Sequence, residues 1–202
     1  MMSRQGTAEP GSPAERPQVH DKIDGEHRAM TDSAGAEQAA IRQLLDKQAI
    51  HEAIMRYCRG VDRADPDLIS SAYHPDAVDD HGRQCYTGAT VGRGIVDLAR
   101  SWKVSAHHVT NQLITLHGDE TAGCETYFMA SQIIETEGDE RLLLALGRYV
   151  DRFERREGEW KISHRLVIVE LTHIVAAGDP PPLPSGLGSR DRNDPSYAAL
   201  EH

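Results

Sequence analysis

Cysteine is scarce in this chain, with only Cys58, Cys85 and Cys124 among 202 residues. An odd number at wide spacing excludes a disulfide framework and a CxxC zinc site, and makes a reducing cytoplasm the expected compartment. Aromatic residues are few, 5% of the chain with Trp102 and Trp160 as the tryptophans, which argues against a stacking platform for nucleic acid. Positive charge is in deficit: 22 Lys and Arg stand against 32 Asp and Glu, a net charge of −10. Neither nucleic acid nor an anionic membrane surface is therefore an expected partner. No run of about 18 apolar residues exists to span a bilayer, and no apolar h-region of a secretory signal opens the chain. Internal repeats, GxGxxG, Walker, GxSxG and kinase signatures are missing as well. Gly92-Arg93-Gly94 is too short to cradle a phosphate.

What is present suffices for one domain. The apolar set is 39% of the chain, an ordinary share for a packed core. Residues 1–36 are rich in Gly, Pro, Ser and charge without apolar periodicity, and read as a disordered leader. Within it Met30 is a second candidate for the start of translation. Residues 178–202 form a Pro/Gly-rich tail, expected to pack across the surface or a neighbouring subunit, and its final Leu-Glu-His fits a cloning scar.

Residues 37–177 form the expected domain, helices first and strands after. Ile41, Leu44, Leu45, Ile50, Ile54, Tyr57, Cys58 and Val61 recur at spacings of three and four, which predicts one long amphipathic helix from Glu37 to Ala64. Asp65-Pro66 supplies an N-cap and a first-turn proline for a short second helix running to Tyr73. His74-Pro75-Asp76 reads as a turn, Ala77 to Asp80 as a brief strand, and Ile95 to Trp102 as a third helix. Beyond Ser105 the period shortens toward two. Strands are predicted over Val109 to Leu116, Thr121 to Thr136, Arg141 to Phe153 and Trp160 to Leu171, with hairpin turns at Glu137–Glu140 and Arg155–Gly158. The expected class is α+β, a curved sheet wrapped around three helices.

Three positions break the apolar pattern. Asp62 continues the Ile50, Ile54, Cys58 stripe at a spacing of four, either as a frayed helix end that caps or pairs with Arg59 or Arg63, or as a carboxylate at a pocket wall. In His107-His108-Val109-Thr110-Asn111, simple alternation places His107 and Asn111 on the inner face with Val109 and Leu113, and His108 on the other. Arg165 enters the apolar half of the last strand, pointing either outward or into the cavity. An Asp facing a His has a clear use: the carboxylate takes one imidazole proton, fixes the tautomer and leaves the second nitrogen as a general base. His74, Asp76, Asp79, Asp80 and His81 cluster in sequence without a recognised ligand spacing, so they read as a turn and a strand end by the pocket mouth, and no metal is expected. His108 and Trp102 stand open between pocket mouth and simple packing.

The stretches Ala49 to Asp65, Tyr73 to Ala77, His107 to Asn111 and Glu157 to Ile162 together resemble the SnoaL-like branch of the nuclear transport factor 2-like superfamily, over about Glu37 to Ala176. The resemblance implies a cone of three helices against a curved mixed β-sheet, enclosing an apolar pocket. The chain looks most like the group of scytalone dehydratase, bile-acid 7α-dehydratase and hexachlorocyclohexane dehydrochlorinase, which use an Asp-His dyad without cofactor. Asp62 matches the dyad Asp and His107 the dyad His. Tyr57 stands where the dehydrochlorinase has Lys, which argues against dehalogenation. The resemblance gives Tyr57 a substrate carbonyl or leaving hydroxyl to bind, and Arg165 a leaving group or anion.

These readings combine into an expected cofactor-independent lyase. His107, oriented by Asp62, removes a proton beside a carbonyl. Tyr57 stabilises the oxyanion or assists loss of water, Asn111 orients the ring or binds substrate, and the substrate is a hydrophobic cyclic compound such as a steroid, polyketide or aromatic. Isomerase, aldol cyclase and non-catalytic binding module remain alternatives on the same fold. A homodimer or homotrimer through the open sheet face is expected.

Overall fold

The computed structural model describes residues 19–178 and 188–200, with side chains from residue 33 onward. Helix α1 runs over Val19–Asp62, with no proline between Pro17 and Pro66 to interrupt it. It starts well before the expected Glu37, so residues 19–36 of the expected disordered leader are helical, and residues 1–18 lie outside the described residues. The buried stripe is shorter than the sequence pattern: Ile50, Ile54, Tyr57, Cys58 and Val61 are buried, whereas Ile41, Leu44 and Leu45 are exposed. At its end Ala64 takes a left-handed φ of 51°, and the Asp65 amide returns to the Gly60 carbonyl at 2.8 Å.

Helix α2, Pro66–Ser70, starts as its cap predicts, with Asp65 Oδ1 accepting from the Leu68 amide at 3.0 Å. It stops three residues short of Tyr73, which instead opens strand β1, Tyr73–Asp80. His74-Pro75-Asp76 is thus strand and not turn; the His74 ring bonds the Glu154 carbonyl at 2.9 Å. Strand β2, Cys85–Thr87, pairs antiparallel with β1, and α3 spans Val91–Leu98, one turn earlier than the expected Ile95 to Trp102.

Strands β3 (Val104–His117), β4 (Thr121–Thr136), β5 (Asp139–Arg156) and β6 (Glu159–Ala176) follow. Two-residue turns join β4 to β5 and β5 to β6. Glu137-Gly138 and Glu157-Gly158 have positive φ at both positions, matching the right-handed twist of the flanking strands. The strand order is β2-β1-β6-β5-β4-β3, with β1 parallel to β6 and every other pair antiparallel, so the sheet is mixed. The fold is α+β, with a curved sheet not closed into a barrel.

Besides an irregularity between Tyr73 and Val78 where β1 pairs with β6, three bulges bend the antiparallel part of this sheet and re-aim its side chains. One lies between Val109 and Gln112 in β3, and the others oppose Leu146/Gly147 and Arg152/Phe153 of β5. Gly147 is required at its bulge, because a Cβ there would stand 2.2 Å from the Ile168 carbonyl oxygen and 2.7 Å from the Phe128 ring. Helical Ile50, Ile54 and Ile69 pack with Phe153, Ile162 and Tyr149 of the sheet in one buried cluster. Asp46 ties α1 to the last hairpin, accepting from Trp160 Nε1 at 2.8 Å and Arg155 Nη1 at 3.1 Å.

Of the expected tail, residues 179–187 and 201–202 lie outside the described residues, and Pro195–Leu200 forms a short helix, α4. Among the described residues no helix is long and apolar enough to cross a membrane.

Candidate active site

Asp62 is the last residue of α1, and its carboxylate faces the start of β3 across three hydrogen bonds. His107 Nδ1 stands 2.7 Å from Oδ1, Ser105 Oγ donates to the same oxygen at 2.8 Å, and the His107 backbone amide donates to Oδ2 at 2.9 Å. The His107 side chain is 7% exposed and that of Asp62 16%. Burial alone raises the Asp62 pKa, but the His107 ring and amide together with Ser105 outweigh it and hold the carboxyl below its ordinary value. An ionised carboxylate on Nδ1 selects the Nδ1–H tautomer, leaving Nε2 with the lone pair of a base. The ring tilts against Phe128, centroids 6.4 Å apart.

The tail residue Arg190 fixes the backbone beneath this pair, and sequence periodicity gave no sign of it. Its guanidinium donates to the carbonyls of Val61 (2.9 Å), Asp62 (3.4 Å), Ala99 (3.0 Å) and Trp102 (2.9 Å). These are end carbonyls of α1, the C-cap of α3 and the turn after it, groups that no helical amide serves. Around Arg190 the segment is tied down further, by Arg63 to Asp194 at 3.4 Å, Arg59 to Ser196 at 3.0 Å and Tyr197 to Asp65 at 3.2 Å. Trp102 lies half-buried under Arg190, 5.7 Å from ring to guanidinium.

Tyr57 is buried on α1 between Tyr73 and Tyr149, edge-on to both. Its hydroxyl lies 3.4 Å from His81 Nε2. Burial, with the charge of Asp79, pushes its pKa well above the ordinary phenol value, so it is protonated at neutral pH. The described contacts place it with Asp79, His81 and Arg165 and not in direct hydrogen bonding with Asp62 or His107.

Arg165 points inward because the bulge opposite Arg152/Phe153 shifts the parity of β6, so that Trp160, Ile162 and Arg165 are all buried. Its Nε and Nη2 grip both oxygens of Asp151 at 2.8 and 2.7 Å, and its plane stacks on Tyr149 and Tyr57, 4.1 and 4.3 Å to the centroids. Neither charged partner has any side-chain exposure. The positive charge expected to meet an anion is thus already paired.

Asn111 is exposed, because the β3 bulge turns it out of the inner face. Gln112 takes the inward position, its amide bridging His51 Nδ1 (2.9 Å) and Thr126 Oγ1 (3.1 Å). His108 is exposed on the face opposite His107. Of the sequence cluster around His81, Asp79 bonds His81 at 2.5 Å, while Asp76 pairs with Arg156 at 2.7 Å.

Residues 42–166 match the family of SnoaL-like domains. No curated protein matches the chain in sequence. Among solved structures the chain is similar to hexachlorocyclohexane dehydrochlorinase LinA type 2, at 22% identity over 71% of this chain and 99% of that one, with a TM-score of 0.62. It is also similar to LinA type 3 of Novosphingobium barchaimii LL02, at 21% identity over 70% and 99%, TM-score 0.63. A Novosphingobium aromaticivorans protein provisionally named a scytalone dehydratase aligns at 19% identity over 68% and 95%, TM-score 0.59. At these identities the likeness is one of fold.

Proposed function

The chain belongs to the SnoaL-like domain family, and from that premise we propose that it is a cofactor-independent lyase that removes water from a hydrophobic cyclic substrate. The observation that carries the reading is the 2.7 Å contact between His107 Nδ1 and an Asp62 carboxylate that accepts two further hydrogen bonds. A base held in one tautomer at a partly desolvated position needs no metal or cofactor to take a proton beside a carbonyl. The reaction breaks the C–H bond at His107 Nε2, forms the C=C bond, and expels the β-hydroxyl as water.

The dehydratase and dehydrochlorinase neighbours are consistent with elimination chemistry on this fold, and they support it as fold relatives only. Tyr57, protonated and hydrogen-bonded, is the candidate donor to the departing oxygen. Arg165 supports the tyrosines, and Trp102 walls the site beneath Arg190. Asn111 and His108 have no place in this scheme, since both are exposed.

A direct test uses the bicyclic β-hydroxy ketone 4-hydroxy-2-decalone, whose dehydration gives a conjugated enone visible in the ultraviolet. Catalysed enone formation, falling by about 10² to 10⁴ in His107→Ala and Asp62→Asn with the fold retained, supports the reading. Equal rates in wild type and both variants contradict it. Proton exchange without water loss points to the isomerase or aldol cyclase alternative, and saturable binding with neither reaction to a binding module.

A further inference from the structure

A second carboxylate–imidazole pair lies on β1 and the turn after it, apart from Asp62 and His107. Asp79 has no exposure, and its two oxygens accept from the Tyr73 hydroxyl and from His81 Nδ1, each at 2.5 Å. As in the first pair, the carboxylate holds Nδ1 and leaves Nε2 to face another group. For His81 that group is the Tyr57 hydroxyl at 3.4 Å, the longest link in the chain and of the kind that tightens when substrate binds.

The two pairs stand at opposite ends of one aromatic row. From His107 the ring centroids run 6.4 Å to Phe128, 4.5 Å on to Tyr149 and 5.6 Å on to Tyr57. Beside Tyr57 and Tyr149, Arg165 Nη1 is buried without a hydrogen-bond partner among the described residues. A buried donor left open calls for an explanation, and an oxygen atom of a bound substrate or water supplies one. The His81 side chain is 18% exposed, whereas that of Asp79 has no exposure.

We propose that Tyr57, His81 and Asp79 form an acid relay serving the leaving oxygen, opposite the His107 base. The inference rests on the elimination reading above. As the substrate C–O bond breaks, the Tyr57 hydroxyl proton passes to the departing oxygen, completing water. The Nε2 proton of a His81 imidazolium, stabilised by the Asp79 carboxylate, passes to the Tyr57 oxygen. Neutral His81 then regains its Nε2 proton from solvent, and His107 releases to solvent the proton it took from carbon. The balance is one water expelled and no net proton change.

Two measurements test the relay on the full-length chain. The first is histidine-selective 15N NMR through a pH titration of wild type, Tyr57→Phe and His81→Gln. The groups against His81 are Asp79 from β1, Tyr57 from α1 and Tyr86 from β2; Tyr73 bonds the other oxygen of Asp79, with Arg165 of β6 over the Tyr73 ring, and of these Tyr57→Phe removes one hydroxyl. The relay predicts a moved His81 Nε2 signal and midpoint with His107 unmoved; His81 signals indifferent to Tyr57→Phe overturn it.

The second compares enone formation from 4-hydroxy-2-decalone with hydrogen exchange at its C3 in D2O. In His81→Gln the ratio of water loss to exchange is expected to fall about ten-fold or more. Exchange by wild type with an unchanged ratio in His81→Gln overturns the relay alone. Absence of both exchange and enone formation in wild type contradicts the elimination reading itself, and the relay with it.

Discussion

His107 meets Asp62 twice, through its ring at 2.7 Å on Oδ1 and through its own backbone amide at 2.9 Å on Oδ2. The backbone bond fixes where the carboxylate sits, and the ring bond then fixes which nitrogen of the imidazole is free. Orientation of the base is therefore built into the junction of α1 and β3 and does not depend on substrate.

That junction makes stability depend on acid. Asp62 is held below its ordinary value of 3.8, so it contributes stability that is complete above the unfolded-state value and lost as pH falls through the folded one. Wild type is expected to lose stability as pH drops below about 4, and Asp62→Asn to lose less over the same interval. Urea unfolding midpoints between neutral and strongly acid pH check this, and parallel curves for the two proteins contradict it.

Arg190 secures the same junction from the tail. Charge-assisted hydrogen bonds to four carbonyls are expected to make Arg190→Ala cost about 2–3 kcal/mol. Arg190→Lys recovers little of it, because an ammonium lacks the planar fork that reaches α1 and α3 at once. Urea denaturation measures both, and an unchanged midpoint in Arg190→Ala removes the tail from the account.

The Arg165–Asp151 pair predicts a non-additive cycle. Asp151→Ala leaves a buried guanidinium without its counter-charge and is expected to cost about 3–5 kcal/mol. The double variant Asp151→Leu with Arg165→Met is expected to cost less than Asp151→Ala alone, because it removes both charges together. Additive losses in denaturant unfolding contradict this.

The outer sheet face carries exposed Leu113, Tyr127, Met129, Leu146 and Leu166 on neighbouring strands. Apolar residues around the Glu125–Arg148–Glu170 ion pairs of the same face make it a candidate contact between copies. Sedimentation is expected to give a dimer or trimer, and Met129→Glu with Leu166→Lys to shift it to monomer. A monomeric wild type contradicts the expectation.

Much of this was legible from residue order. The stripe ending in Asp62, the Asp65-Pro66 cap and the two Glu-Gly turns follow from local rules, and the structure reproduces them. Alternation failed at the bulges, where one extra residue reverses parity: it set Asn111 inward in place of Gln112 and left Arg165 undecided. Arg190 was illegible for a different reason. Its partners are backbone carbonyls distant in sequence, and no side-chain pattern encodes them. The pairing of Asp79 with His81 was visible only as a cluster, since Tyr57, which faces it, lies on another element.

The central claim is that His107, oriented by Asp62, takes a proton from carbon. Exchange of the C3 hydrogens of 4-hydroxy-2-decalone in D2O, followed by proton NMR, reads that step without requiring any later one. The account predicts exchange catalysed by wild type and reduced by about a hundred-fold or more in His107→Gln and Asp62→Asn. Exchange at the same rate in wild type and in a folded His107→Gln would contradict it.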